Sequence, residues 1–373
     1  MLKVLHITES DGFSGGVNQA LYLARLIKDK GVDNFFASPN PSILREKAKD
    51  EFSFFDFKPE GNLDFKTILK LKKIFETKKF DIVHSHHPKA HNYSFWAKKL
   101  SKYKPVLVVS RRVSHPIPTN LLAKIRYLSK EVNKYIAVSK SVEEILINYG
   151  IEKDKIAVIY SGVDTKRFNK KEKDLEFKKS LGFKDDDFII SHIGNFSNEK
   201  GQFFTIMASK ILIDKGYKFK IIFAGMKTDK NEIKELFNKS DIPIDYGIFL
   251  GFRNDVERIL NITDISVNSS IKGEALSGSM RESLASGVAV VASDISGNRE
   301  IVKDGENGFL FRPGNYFELA QKLEILINNK EMREKFSKNA VDTIEEKFTV
   351  NRMAENTLNL YRELINKKHI MAL

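Results

Sequence analysis

One alternation runs through this sequence twice: a short apolar run of strand length, then an amphipathic stretch of helical length. In the first half Lys3–Ile7, Phe35–Ser38, Phe52–Phe55, Ile82–His84, Val106–Ser110, Tyr135–Val138 and Ile156–Ile159 read as strands. Between them Val17–Lys30, Phe65–Lys78, Ala90–Lys102, Asn120–Val132 and Val142–Tyr149 read as helices. The first of these carries Ala20, Leu21, Leu23, Ala24 and Ile27 at helical spacing. Strands that alternate with helices predict a parallel sheet with helices on both faces. Gly162–Phe183 is polar and lysine-rich, with no sustained apolar period, and reads as a linker. The alternation then restarts, with strands at Phe188–Ile193, Phe219–Ala224, Ile248–Leu250, Ile265–Asn268, Ala289–Ala292 and Gly308–Phe311. Helices are expected at Phe203–Lys215, Glu232–Asn238, Val256–Leu260, Phe317–Asn328 and Met332–Phe348. The fold class predicted is α/β, with two Rossmann-like parallel-sheet domains, 1–164 and 184–351, joined by a linker at 165–183. Two such sheets facing each other leave a cleft.

Open parallel sheets bind ligands at the carboxyl ends of their strands. The strand-end loops therefore hold the candidates: Ser14–Gly16, His84–His87, Arg111–His115, Asn195–Lys200, Gly225, Arg253 and Glu274–Glu282. Gly273–Gly287, GEALSGSMRESLASG, is the densest of these. Ser277, Gly278 and Ser279 fall where a loop turns into a helix, and a helix N-terminus offers free amides and a positive dipole end to an anion. Glu274 lies before that helix and Glu282 about a turn inside it, so two acids reach different parts of one ligand. The alternative is a capped surface helix with a solvated Glu.

Composition narrows the class. Cysteine is absent, which excludes disulfides, thiol catalysis and cysteine metal sites, and fits a reducing cytosol. No apolar run approaches the roughly 20 residues that span a bilayer, and MLKVLHITES lacks the apolar core of a signal peptide. The expected location is the cytoplasm, at the inner face of the membrane if the protein associates with one. The net charge of +13 is uneven. Through Asp164 there are 28 Lys and Arg against 18 Asp and Glu, and beyond it 34 against 31. A basic first half attracts polyanions: nucleic acid, anionic lipid or phosphorylated substrates.

Taken together, these residues resemble the GT-B-fold retaining glycosyltransferases of family 4. Glu274 and Glu282 match the family's Glu pair, Gly15 and Gly16 its glycine-rich first loop, and Gly194 to Lys200-Gly201 its lysine element. Ser161-Gly162-Val163-Asp164 with Arg167-Phe168 matches its linker signature. The resemblance implies that the last helix, over 352–373, crosses back to the first domain. It also implies roles. Lys200 would meet the donor diphosphate, Glu282 the ribose and Glu274 the donor sugar near the reacting carbon. The backbone of Leu276, Ser277, Gly278 and Ser279 would hold phosphates and sugar. Gly15 and Gly16 would let the first loop approach the diphosphate, His115 would stand near the donor sugar, and Gly251–Arg253 would line the base pocket. The implied reaction moves a hexosyl unit from a nucleotide-diphosphate sugar (UDP favoured, GDP or ADP open) to a glycan or lipid-linked acceptor of the cell envelope, with retention and no further cofactor.

Three departures from the family pattern bear on the donor. Asn195 stands where many members carry Arg, which leaves Arg253, Arg111 or Arg112 as substitutes, or the phosphates to backbone amides. Ala275 and Ser277 replace glycines, and Arg281 replaces an apolar residue. The histidines at 84, 86, 87 and 91 suggest a metal, but no acid lies near them in sequence, and Asp185-Asp186-Asp187 reads as a solvated turn. No metal is therefore expected. Two other functions compete: a nucleotide-sugar epimerase of similar fold, and a nucleic-acid-binding protein. Against the latter, the basic residues are scattered and no stacking aromatic motif sits among them.

Overall fold

The computed structural model describes residues 1–12, 14–61 and 63–370. The chain divides into two compact units, one of Met1–Gly162 with the segment from Val350, the other of Val163–Thr349. Unit 1 runs β1 (Leu2–Ile7), α1 (Gly15–Ile27), β2 (Val32–Ser38), α2 (Ile43–Ala48), β3 (Ser53–Asp56), α3 (Phe65–Lys78), β4 (Ile82–Ser85), α4 (Pro88–Leu100), β5 (Val106–Arg111), α5 (Leu121–Tyr127), β6 (Lys134–Ala137), α6 (Lys140–Asn148) and β7 (Ile156–Val158). Unit 2 runs α7 (Leu175–Ser180), β8 (Ile189–Ile193), α8 (Gln202–Asp214), β9 (Lys220–Ala224), α9 (Asn231–Lys239), β10 (Gly247–Phe249), α10 (Val256–Ile262), β11 (Ile265–Asn268), α11 (Gly278–Ala285), β12 (Ala289–Ser293), α12 (Ser296–Arg299), β13 (Phe309–Phe311), α13 (Tyr316–Asn328) and α14 (Lys330–Lys347). The last helix, α15 (Val350–Ile370), belongs to unit 1.

Each unit is built on one parallel sheet. The strand orders are β3-β2-β1-β4-β5-β6-β7 and β10-β9-β8-β11-β12-β13. In unit 1 the winding reverses between β1 and β4, in unit 2 between β8 and β11. Loops leaving the two strands at such a reversal diverge to opposite faces and open a crevice at the carboxyl ends. The strands are near-continuous apolar runs because helices cover both faces; all six residues of β5 are buried. Helix starts are set by side chains that accept a backbone N–H, among them Ser14, Ser42, Asp64, Asn120, Ser139 and Ser277.

The helix α15 packs along α1, with Met353, Ala354, Leu358 and Tyr361 in the same core as Val4, Leu23, Ile27 and Val108. The Tyr361 hydroxyl lies 2.6 Å from His84 Nδ1. This helix begins at Val350, and residues 371–373 of the expected 352–373 element lie outside the described residues.

The stretch expected as a linker is instead part of unit 2. Phe168 and Phe177 are buried, Asp174 caps α7, and Arg258 lies 4.2 Å over the Phe177 ring while bonding Asp174 at 2.8 Å. Lys178 is buried with its ammonium on the carbonyls of Asp185 and Asp187, at 2.9 and 2.6 Å. Two aromatic anchors and a set of polar bonds hold this segment, and neither leaves an apolar period. The helix expected over Asn120–Val132 stops at Tyr127, and its Leu121, Leu122, Ile125 and Leu128 are exposed.

Candidate functional site

The loop after β11 and the loop after β8 meet at the winding reversal of unit 2. Their contact is backbone on backbone. Gly201 has φ +69°, and a Cβ there would stand 2.1 Å from the Ser269 carbonyl oxygen. Glycine is thus required twice over, by conformation and by space. The Ser269 hydroxyl donates to the Gly201 carbonyl at 2.6 Å, and Ile271 N–H donates to the Glu199 carbonyl at 2.8 Å. With the loops pinned, Lys200 reaches Glu274: its ammonium lies 2.5 Å from Oε1, which also accepts the Ser270 hydroxyl at 3.0 Å. Glu274 is buried and the Lys200 side chain is 36% exposed, so the pair is a covered acid under an accessible cation. Gly297 closes the far side, since a Cβ there would meet the Glu274 carbonyl at 2.5 Å.

The helix α11 starts in the same place. Ser277 caps it, and the Ser277 hydroxyl is itself fixed by Asn268 Nδ2 at 3.1 Å and lies 3.3 Å from Ser279 Oγ. Leu276 is buried and anchors the loop, and Gly278 is the first helical residue. Arg281 is buried and turns back along its helix. Its Nε donates to the Ser277 carbonyl, and its Nη2 lies 3.8 Å from where a Cβ on Gly278 would stand. Burial draws its guanidinium down to about 10, against the pull of Glu282 and Glu274. Burial pushes the Glu282 carboxyl up to about 7, opposed by Arg281 and Arg167. Unit 2 thus gathers Lys200, Glu274, the start of α11 and Arg281 into one charged cluster, with Glu282 coupled to it through Arg281.

The other expected residues take different places. Asn195 Oδ1 accepts Met226 N–H at 3.0 Å and its carbonyl accepts Gln202 Nε2 at 3.1 Å, so it ties the loops after β8 and β9 together. Arg253 forks onto Asp255 at 2.7 and 2.5 Å, a pair that also raises its pKa. In unit 1, Gly15 opens α1 with free space around its Cα. Gly16 makes room for a side chain, since a Cβ there would lie 2.6 Å from His87 Nε2. His115 is exposed, and its carbonyl accepts Arg111 Nη2. Arg111 also bonds the Tyr127 hydroxyl, and Arg112 bonds Ser161 at 2.9 Å.

Ser269, Ser270, Gly297 and the inward turn of Arg281 have no motif that marks them in sequence. Ring nitrogens of His6, His84 and His86 lie within 4.8 Å of one another. All of these nitrogens except His86 Nδ1 already bond Asn34, Tyr361, Ser110 or each other.

Known proteins resemble this chain in sequence and in fold. The model of "Glycosyltransferase Family 4" matches residues 13–167, and that of "Glycosyl transferases group 1" matches residues 173–343. The putative glycosyltransferase EpsD of Bacillus subtilis is 27% identical over 77% of this chain and 78% of its own. The N,N'-diacetylbacillosaminyl-diphospho-undecaprenol alpha-1,3-N-acetylgalactosaminyltransferase of Campylobacter jejuni is 26% identical over 95% of this chain and 98% of its own. The crystal structure of Anabaena HepE in complex with UDP and glucose shares the fold, with TM-score 0.83 and 19% identity over 96% of this chain and 99% of that one.

The raised Glu282 carboxyl has a consequence for stability. In the unfolded chain it ionises near its ordinary value of 4.5; in the folded chain it ionises near 7. Stability is therefore lost as pH rises between those values, about 3 kcal/mol by pH 8. Thermal melts of Glu282→Gln should show a Tm that gains on the native protein by several degrees from pH 5 to pH 8. A Tm difference that stays constant or narrows contradicts the assignment.

Proposed function

The chain belongs to the family-4 glycosyltransferases, and on that footing we propose that it moves a hexosyl unit from a UDP-sugar to a hydroxyl of a glycan or lipid-linked acceptor, with retention of anomeric configuration. The observation that carries this reading is the Lys200–Glu274 pair at the start of α11. UDP is favoured because HepE binds UDP with glucose. An isoprenoid-diphosphate acceptor is favoured because the Campylobacter relative is named for one.

Breaking the bond from the anomeric carbon to a diphosphate leaves charge on the phosphate and oxocarbenium character on the sugar. Donors aimed at the growing charge are the main catalytic device. In this reading Lys200 leaves Glu274 for the diphosphate, and the amides of Leu276, Ser277, Gly278 and Ser279 take the remaining oxygens. Arg281 supplies the second cation that Asn195 does not. Glu274, freed from Lys200, lies under the donor sugar, and Glu282 accepts the ribose hydroxyls. In unit 2, Arg253 borders the base. The acceptor hydroxyl attacks the face from which phosphate departs, and the departing phosphate oxygen takes its proton. Lys200→Ala should lower kcat/KM by about 100–1000-fold. Proton NMR of fresh product should show the donor's own anomeric configuration, and an inverted linkage overturns the mechanism.

A specific surface favours attachment to an anionic membrane through unit 1. Leu121, Leu122, Ile125 and Leu128 are 72%, 52%, 37% and 46% exposed on and beside α5. Leu63, Trp96 and Leu122 line one depression with Lys89 and Arg126. Lys124 and Lys130 are exposed on the same segment, and Lys99 lies 5.4 Å over Trp96. Apolar side chains beside a Trp and ringed by cations match an anionic lipid surface. No helix among the described residues is long and apolar enough to cross a membrane. In flotation assays the protein should bind phosphatidylglycerol vesicles and lose most of that binding on Leu121→Glu with Leu122→Glu. Equal binding to phosphatidylcholine vesicles, or none to either, contradicts it.

A further inference from the structure

Next to the Lys200 turn, unit 2 buries a histidine that the proposed donor chemistry leaves unused. His192 lies in β8, Thr205 in α8 and Ser269 directly after β11, and they are 2%, 0% and 0% exposed. Their polar atoms form one line. His192 Nδ1 is 2.9 Å from Thr205 Oγ1, Thr205 Oγ1 is 2.9 Å from Ser269 Oγ, and Ser269 Oγ is 2.6 Å from the Gly201 carbonyl oxygen. The line admits one order of protons. A carbonyl only accepts, so the single Ser269 proton goes to Gly201. Thr205 must then donate to Ser269, which leaves its oxygen to accept from His192 Nδ1–H. Burial, aided by the field of Lys200, draws His192 down to about 3, so the ring is neutral and carries its one proton on Nδ1.

Thr205 departs from what other helical threonines do. A threonine hydroxyl on a helix commonly donates to the carbonyl four residues back, and Thr77, Thr343 and Thr357 do so at 2.8, 2.7 and 2.7 Å. For Thr205 that carbonyl belongs to Gly201, and Ser269 has taken it. The Thr205 hydroxyl instead joins three elements: β8, α8 and the loop after β11. The core around it, with Ile206 and Phe223, is apolar, so packing alone does not call for three polar groups here. The Gly201 carbonyl also accepts Phe204 N–H at 2.9 Å, which ties it to the first turn of α8. On the other side, Lys200 N–H and Gly201 N–H both donate to the Ser197 carbonyl, at 3.1 and 3.3 Å. The backbone at Lys200 is thus held from two sides, by Ser197 in its own loop and by the His192 line from the core. A satisfied buried row of hydrogen bonds stiffens its surroundings, and its bonds polarise one another.

We propose that His192 and Thr205 are positioning residues for Lys200: through Ser269 they hold the Gly201 carbonyl, and so set the place from which the ammonium meets the donor diphosphate. The proposal rests on the glycosyltransferase reading and adds to it two residues that act through another. Misplacing a reacting group by about 1 Å costs on the order of 100-fold in rate, so loosening one of two anchors should cost about tenfold.

The test is a double-mutant cycle on the full-length protein. It is read as single-turnover hydrolysis of whichever of UDP-glucose, UDP-galactose and UDP-N-acetylglucosamine the native protein hydrolyses fastest. Thr205→Val keeps the shape and removes the hydroxyl. It should lower the rate constant at saturating donor by about tenfold and leave the half-saturating concentration within about twofold. Thr205→Ser, which keeps the hydroxyl, should recover most of that loss. Ser269→Ala removes the last link with a small change of volume and should lower the rate alike. In a Lys200→Ala background, Thr205→Val should cost less than about twofold, because the cation it positions is gone. An equal loss with and without Lys200, or native rates in both Thr205→Val and Ser269→Ala, overturns the proposal. The proton order has its own readout. In ¹⁵N-histidine NMR, His192 should carry its proton on Nδ1, and a proton on Nε2 overturns the proposal too. If the native protein neither binds nor hydrolyses any of these UDP-sugars, the donor reading fails instead, and the histidine signal still judges the hydrogen-bond line by itself.

Discussion

The parallel pairing of β8 with β11, at the point where strand order reverses, is what the rest of the site depends on. It brings two loops that are about seventy residues apart in sequence within one side chain of each other. The close approach of Gly201 to the Ser269 carbonyl fixes their separation, and only then does the Lys200 ammonium arrive at Glu274. A buried carboxylate without a partner is costly, and a half-exposed ammonium loses little by pairing. The pair therefore holds the crevice in shape while keeping the cation accessible to a ligand of greater charge. Unit 1 repeats the arrangement between β1 and β4, but fills the reversal with imidazoles. Burial keeps those rings neutral, so unit 1 offers oriented dipoles where unit 2 offers charges.

Much of this was legible in the sequence, and the limits have physical reasons. Apolar runs bounded by turn residues mark buried strands, so β11 falls on Ile265–Asn268 as expected. The start of α11 was legible too, because Ser277 is a capping residue at the head of a helical pattern. Periodicity failed where structure is held by isolated anchors. Phe168, Phe177 and Lys178 fasten the supposed linker to unit 2 at single points. It failed again at α5, where leucines at helical spacing face outward and the helix is short. Asn195 looked like a lost cation; the structure shows a residue bonding two loops. Arg281 looked like a misplaced charge, yet its guanidinium turns back toward the first residue of its own helix. Neither outcome can be read from one-dimensional spacing, because the partners of both residues are set by tertiary placement.

Burial of Glu282 works against the fold. An acid in a covered wall, held by Arg281 and Arg167 against its own desolvation, lowers stability at neutral pH. Perturbed groups of this kind collect where a ligand later supplies the missing partners. A ribose diol would do that, accepting part of the burden that solvent cannot.

A nucleotide sugar held in unit 2 through the charged form of Glu282, as we propose, must lose affinity when that carboxyl is protonated. Isothermal titration calorimetry of UDP-glucose binding from pH 8 to pH 5 reads that loss, because the diphosphate diester does not titrate in that range. The affinity should fall as pH drops through about 7, by up to about tenfold per pH unit. Glu282→Gln should bind more weakly, with an affinity nearly independent of pH. Native binding that is flat across the range, or a Glu282→Gln protein that binds as tightly as the native one at pH 8, would contradict it.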